Sequence, residues 1–222
     1  MKPRLARCLV MALAVGLALA ALGGCGTSPA TRFYVLTPIA ANGAHPSPVS
    51  NAITIGVRLV VLPDELDRPQ IVTRTGANTV HLAEFDRWLA SLRDSVMRVI
   101  GDDLVALLPG DRVAVYPWPP GTSVDREVVV EVTRFDGQLG GRCVLDARWK
   151  VLTRIGTRSA IYGQSTLSEV SGSDYPALVA AHSRLLGTLS AEIASAIRNG
   201  AHEADATSRR PSASQGREDQ TR

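Results

Sequence analysis

Three cysteines, four histidines, a short acidic turn and a serine flanked by small polar residues are the side chains of this 222-residue chain on which chemistry could be built. Metal binding needs several donors brought together by spacing, and His45, His81, His182 and His202 are scattered over loop, strand, helix and tail. No HExxH, paired CxxC, P-loop or GxGxxG after a strand is present. Asp64, Glu65 and Asp67 lack the spacing of a calcium loop and read as a solvated acidic turn. Gly163-Gln164-Ser165-Thr166-Leu167 lacks the second glycine of a nucleophile elbow. These patterns supply no catalytic residue, no metal site and no cofactor site, so an enzyme is not expected.

Leu22-Gly23-Gly24-Cys25 is the exception. Lys2, Arg4 and Arg7 are followed by the 14-residue apolar run Leu9 to Leu22, the charge-then-apolar order of a secretory signal. That run is shorter than the roughly 20 residues of a permanent membrane-spanning helix. Small residues before the cysteine let a membrane peptidase reach the backbone, and a thiol can carry a thioether-linked diacylglycerol. The pattern is that of a bacterial lipoprotein processing site, with Cys25 as the S-diacylglycerol and N-acyl attachment residue and Leu22, Gly23 and Gly24 as the cleavage motif. A conventional signal cleaved beside an incidental cysteine, or an uncleaved anchor, is the competing reading. Residue 26 is Gly; an Asp there usually retains a Gram-negative lipoprotein at the inner membrane, so the expected address is the periplasmic face of the outer membrane.

Removal of residues 1–24 takes Cys8 with it and leaves Cys143 as a single thiol, which excludes an internal disulfide. Cys143 falls on the apolar side of an alternating strand and is expected as a small buried hydrophobe. Three of the 24 basic residues are also removed, and the remaining 21 balance the 21 acidic ones. A neutral mature chain with no basic stripe offers no footprint for nucleic acid. About 198 residues suffice for one domain with a sizeable core.

The elements that must carry these residues can be read from periodicity. Polar and Pro-rich stretches around a short strand at Phe33 to Thr37 make residues 25–52 a lipidated N-terminus and tether. A body at 53–199 opens with the strand Ile53 to Leu62, stopped by Pro63, and continues with a hairpin of Ile71 to Thr75 and Thr79 to Ala83. Apolar residues then recur at three and four from Glu84 to Leu108, which predicts an amphipathic helix that Gly101 can bend and Pro109-Gly110 ends. Its polar face is mixed in sign, which favours a core helix over one lying on a membrane. A strand at Arg112 to Tyr116 leads to Pro117-Trp118-Pro119-Pro120, where Trp118 reads either as a cap over one end of the core or as a partner-facing anchor. Glu127 to Phe135 and Arg142 to Leu152 alternate strictly and predict a long antiparallel pair with one wet face. The polar strand Ser159 to Val170 reads as an edge or interface strand.

A second helix is expected from an N-cap at Ser173 or Asp174, with Pro176 in its first turn. Leu178, Val179, His182, Leu185, Leu186, Leu189, Ile193 and Ile197 form its apolar stripe, and Asn199-Gly200 closes it. His182 on that stripe is expected as a hydrogen-bonded core histidine. Residues 200–222 lack large apolar side chains and are expected to be disordered. The fold class is therefore α/β (α+β): one domain, a mixed and mostly antiparallel sheet of about seven or eight strands, and two main helices packed on it.

Several separate segments also carry a resemblance: Arg32-Phe33-Tyr34-Val35-Leu36-Thr37-Pro38, Leu62-Pro63 through Arg74, Glu84-Phe85-Asp86-Arg87-Trp88, Val132 to Gly137, Leu145-Asp146-Ala147-Arg148-Trp149, and Leu178-Val179-Ala180-Ala181. Over about residues 22–198 the chain resembles the paraquat-inducible protein C (PqiC/YmbA) family, the ABC-type transport auxiliary lipoproteins. The resemblance implies an outer-membrane lipoprotein acting with MCE-domain proteins of the inner membrane in lipid transport between the membranes. It also implies an α/β fold capable of ring assembly, and it carries no catalytic residues; only Cys25 transfers as a functional position. The rival functions are a self-contained lipid- or solute-binding lipoprotein and an envelope scaffold without a transport role.

Overall fold

The computed structural model describes residues 29–38, 52–154 and 159–208, with backbone only for Leu59 and residues 201–208. Leu22 to Cys25, the apolar run before them, the remainder of the tether at 39–51 and residues 209–222 lie outside the described residues.

Eight strands form one mixed sheet: β1 (Arg32–Tyr34), β2 (Thr54–Val61), β3 (Gln70–Gly76), β4 (Thr79–Trp88), β5 (Arg112–Val115), β6 (Arg126–Gly137), β7 (Arg142–Thr153) and β8 (Ala160–Val170). Two helices, α1 (Leu92–Leu107) and α2 (Tyr175–Ser208), complete the order, α1 between β4 and β5 and α2 after β8. The β6-β7-β8 meander carries the long antiparallel ladders expected from its alternation, with β6 paired to β7 from Arg126↔Thr153 to Gly137↔Cys143. β6 is the trunk of a fork. Its other edge takes β2 in parallel, from Ile55↔Arg126 to Val61↔Glu131, and then β3 at Thr73↔Gly137. β2 continues to β5, whereas β3 continues to β4 and then to β1. β6 is bulged between Val132 and Arg134, between these two partners, where an extra residue re-aims the side chains that follow.

Both helices cover one face. α1 packs on β2 and β5, α2 packs on β7 and β8, and the helices pack on each other. Alternation delivers Val128, Val130 and Val132 of β6 and Cys143, Leu145, Ala147, Trp149 and Val151 of β7 to that face, all of them buried. Every residue of the expected α2 stripe is buried, as are Val96, Val99, Ile100 and Leu104 of α1. Cys143 is buried as expected, and burial pushes its thiol up to about 11.

Two local expectations are corrected. Glu84 to Trp88 is not helical but completes β4, because Asp86, Arg87 and Trp88 pair with Arg32, Phe33 and Tyr34 of β1. The helix starts at Leu92, where the Ser91 hydroxyl accepts the Asp94 N–H at 3.3 Å. Leu89, placed on the helix stripe by its spacing, is instead exposed. The second helix does not close at Asn199-Gly200 but runs on to Ser208 through Ala201 to Ala206, a stretch without proline. At its other end Asp174 is the N-cap, its carboxylate accepting the Ala177 N–H at 2.9 Å. Finally, helix α1 passes through Gly101 without interruption; the missing Cβ leaves room for the Val115 side chain of β5.

Candidate interaction face

Since helices cover one face of the sheet, the alternate residues of the same strands form a second, open face. Glu127, Val129, Glu131, Arg134 and Asp136 of β6 point there, beside Val144, Asp146, Arg148, Lys150 and Leu152 of β7. Two of the acids on this wet face are themselves buried. Asp136 accepts both Nε and Nη2 of Arg74 on Oδ2, at 2.9 and 2.6 Å, and Nε of Arg134 on Oδ1 at 3.0 Å. The paired carboxylate raises the Arg74 pKa further, chiefly through the hydrogen bond. Glu127 lies 3.2 Å from Arg58 Nη1 and 3.5 Å from Arg154 Nε.

A third buried acid, Asp86, fixes β1 to the sheet. It accepts Nε and Nη2 of Arg32 at 2.8 and 2.9 Å and the Tyr34 hydroxyl at 2.7 Å. Burial, and then the bond to Asp86, push the Tyr34 phenol up to about 12. Charge-assisted bonds of this length hold a terminal strand of three residues that could not hold itself.

Where the sheet forks, the open face sinks into a groove of about 450 Å³. The 63–68 turn walls one side with Pro63, Leu66 and Arg68, and Val72, Val80 and Leu82 of the β3/β4 hairpin form an apolar floor. Thr133, Arg134 and Asp136, just past the β6 bulge, form the other wall. Val80 and Leu82 remain about half exposed.

The residues singled out from sequence do not converge here. Ser165 is buried and holds structure together: it accepts the Trp149 indole N–H at 3.0 Å and donates to Glu192. Asp67 pairs with Arg93 at 2.8 Å, and no group of acids, histidines or cysteines able to hold a metal occurs among the described residues. His182 is buried as expected but not hydrogen-bonded: both ring nitrogens lack a partner, and the ring packs between Phe135 and Trp88 at centroid distances of 4.4 and 6.3 Å. Burial pushes its imidazole down to about 4, against a smaller upward pull from Asp136. Trp118 covers the open face of β2, not an end of the core. A Cβ at Gly56 would lie 3.0 Å from its ring and 2.9 Å from Val124, so glycine is required there for this close approach. Tyr116 meets the Trp118 ring edge-on at 5.3 Å.

Sequence reasoning passed over all three acids: Glu127 reads as the wet side of a strand, Asp136 as part of the turn after Phe135, and Asp86 as the polar side of the expected helix, and a charge in any of these places reads as solvated. The available signal was an excess of arginines in strands and turns, and this does not say which arginine meets which acid.

The family model for the ABC-type transport auxiliary lipoprotein component matches residues 34–194. The chain is 25% identical over 128 residues to the intermembrane transport lipoprotein PqiC of Escherichia coli K12, covering 58% of this chain and 67% of the relative. The PqiC of Shigella flexneri gives the same figures. Two solved structures share the fold: an uncharacterised protein (TM-score 0.63, 22% identity, 76% of this chain and 99% of that one) and a Xanthomonas campestris protein (TM-score 0.56, 19% identity, 78% and 99%). No described helix is long and apolar enough to cross a membrane. With the model spanning Tyr34 to Ala194, this chain belongs to the ABC-type transport auxiliary lipoprotein component family.

Proposed function

We propose that this protein is a non-enzymatic, outer-membrane lipoprotein that docks its α/β body onto an MCE-domain partner in a lipid transport system between the two membranes. Cys25 carries the diacylglycerol, the Gly at 26 stands where an Asp would retain the lipoprotein at the inner membrane, and the open face of the sheet is the surface left for protein contact. The observation that carries the docking part is the one-sided fold. A sheet with both described helices on one face, and arginine-clamped acids with half-exposed Val80 and Leu82 on the other, supports a protein contact on that open face. A role in transport between membranes is supported by the family and by the E. coli relative, an intermembrane transport lipoprotein. Ring assembly of several copies is part of this reading.

The test is photo-crosslinking in cells from the groove positions Val80 and Leu82. The expected product joins this chain to an MCE-domain protein; repeated failure to capture one sinks the docking role. For the anchor, Cys25→Ser should abolish acyl labelling and stall signal processing, and survival of the label would overturn the attachment site.

A further inference from the structure

We infer that the β1/β4 edge of the sheet rests on the bilayer that holds the lipid, with Phe33, Val35 and Leu89 as its contact residues; the inference relies on the lipid-anchor reading of Cys25. Three observations meet at this edge. The first is chain length. β1 begins at Arg32, seven residues after Cys25, and seven residues of fully extended chain reach about 25 Å at most. The fixed part of the chain starts at β1 itself: Asp86 grips Arg32 and Tyr34, Leu36 is buried, its carbonyl accepts Arg98 at 3.1 Å, and the Thr37 N–H donates to Ser183 at 3.2 Å. Only residues 26–31 are left as a leash, so the edge formed by β1 is tied close to the anchored lipid.

The second observation is exposure. Phe33, Val35 and Leu89 are 60%, 50% and 64% exposed, and contiguous apolar exposure of this kind marks an interaction site. They are neighbours: Phe33 pairs with Arg87, and the Leu89 N–H donates to the Tyr34 carbonyl at 2.9 Å, one step past the last registered pair. The third is charge. The partner of Phe33 across the ladder is Arg87, and the preceding pair, Arg32 with Asp86, is neutral overall, so the one uncompensated charge of this ladder is the basic Arg87. An aromatic and two aliphatic side chains beside Arg87 match the boundary between acyl chains and anionic headgroups.

The experiment uses the full lipidated protein in vesicles of phosphatidylethanolamine and phosphatidylglycerol. Cysteine is introduced at Leu89 (Leu89→Cys) or, at the far edge of the sheet, at Tyr162 (Tyr162→Cys), and labelled with an environment-sensitive fluorophore. Cys143 is buried and Cys25 is consumed in the thioether, so the new thiol takes the label; Tyr162 is itself 74% exposed. The label at residue 89 is expected to shift to the blue and to be quenched by nitroxide-bearing lipid several-fold more strongly than the label at residue 162. Equal quenching, or stronger quenching at 162, overturns the inference. Shielding at 89 without lipid quenching also overturns it, and assigns the patch to a second protein surface. Acyl labelling of the same samples separates the two readings: no acyl label removes the anchor and the inference with it, whereas an acylated protein with a water-exposed label at 89 removes the inference alone.

Discussion

The two faces of this sheet are made by the same strands and differ in how they tolerate error. On the helix side, stability comes from apolar volume filled by α1 and α2, with Leu185, Leu186, Leu189 and Ile193 fully enclosed. Among the described residues there, the His182 imidazole and the Ser190 hydroxyl have no hydrogen-bonding partner, and of the two only His182 titrates in the acid range. On the open side the conspicuous buried groups are carboxylates, each fastened by arginines that keep part of their surface in water. The covered face should therefore respond strongly to lost volume and to protons. The open face should respond weakly, and through salt.

The largest effect is expected from Leu186→Ala. Removing an enclosed leucine costs about 2–5 kcal/mol, depending on how far α2 can settle into the gap. Urea unfolding would read it as a lower midpoint at unchanged slope, and a loss below about 1 kcal/mol would mean that the α2 stripe is looser than it looks.

Next comes acid. His182 titrates near 4 when folded and near 6.5 when unfolded, so the unfolded chain takes up the proton first. Its contribution is fully present above about pH 6.5 and is lost as pH falls through about 4, roughly 3 kcal/mol across that window. In His182→Leu, stability measured from pH 7 to 4 should fall less steeply than in the parent. An unchanged slope would place the acid sensitivity in the carboxylates.

Smaller again is Asp136→Asn on the open face. It removes the shared anion from Arg74 and Arg134, whose side chains are 34% and 40% exposed and can be rehydrated in place, so the loss should be about 1–2 kcal/mol. The loss should shrink in high salt; a salt-independent loss as large as that of Leu186→Ala would erase the contrast between the faces. At the bottom of the scale, Glu131 and Arg148 are 3.9 Å apart and both mostly exposed, and Glu131→Gln should change stability by less than about 0.5 kcal/mol.

What was legible in the sequence follows the range of the forces involved. The β6/β7 pair was read nearly to its ends, since alternation is local and the partners are neighbours in the chain. The α2 stripe was complete, because a period of 3.6 sustained over many residues has few competitors. Glu84 to Trp88 failed because Phe85, Trp88 and Leu89 have helical spacing, while the pairing that overrides it comes from β1, more than fifty residues earlier. The same distance hides the acid–arginine clamps and the β6 bulge, which depend on what lies across the sheet. His182 was placed correctly by its stripe, but its lack of a partner depends on the neighbours packed around it. Of the sites read from sequence, Cys25 rests on its local motif alone, and the open face was visible only as the wet side of one hairpin.

The pairing of β1 has a consequence for the order of assembly. The meander from Arg126 to Val170 closes through short connections, each strand finding its partner next along the chain. β1 must wait: Arg32 meets Asp86 across 54 positions, and the entropy of closing that loop is spent before any bond is gained. A chain delivered N-terminus first thus carries its first strand unpaired until β4 exists. The end nearest Cys25 is expected to be the last to lock and, under mild denaturation, the first to peel away.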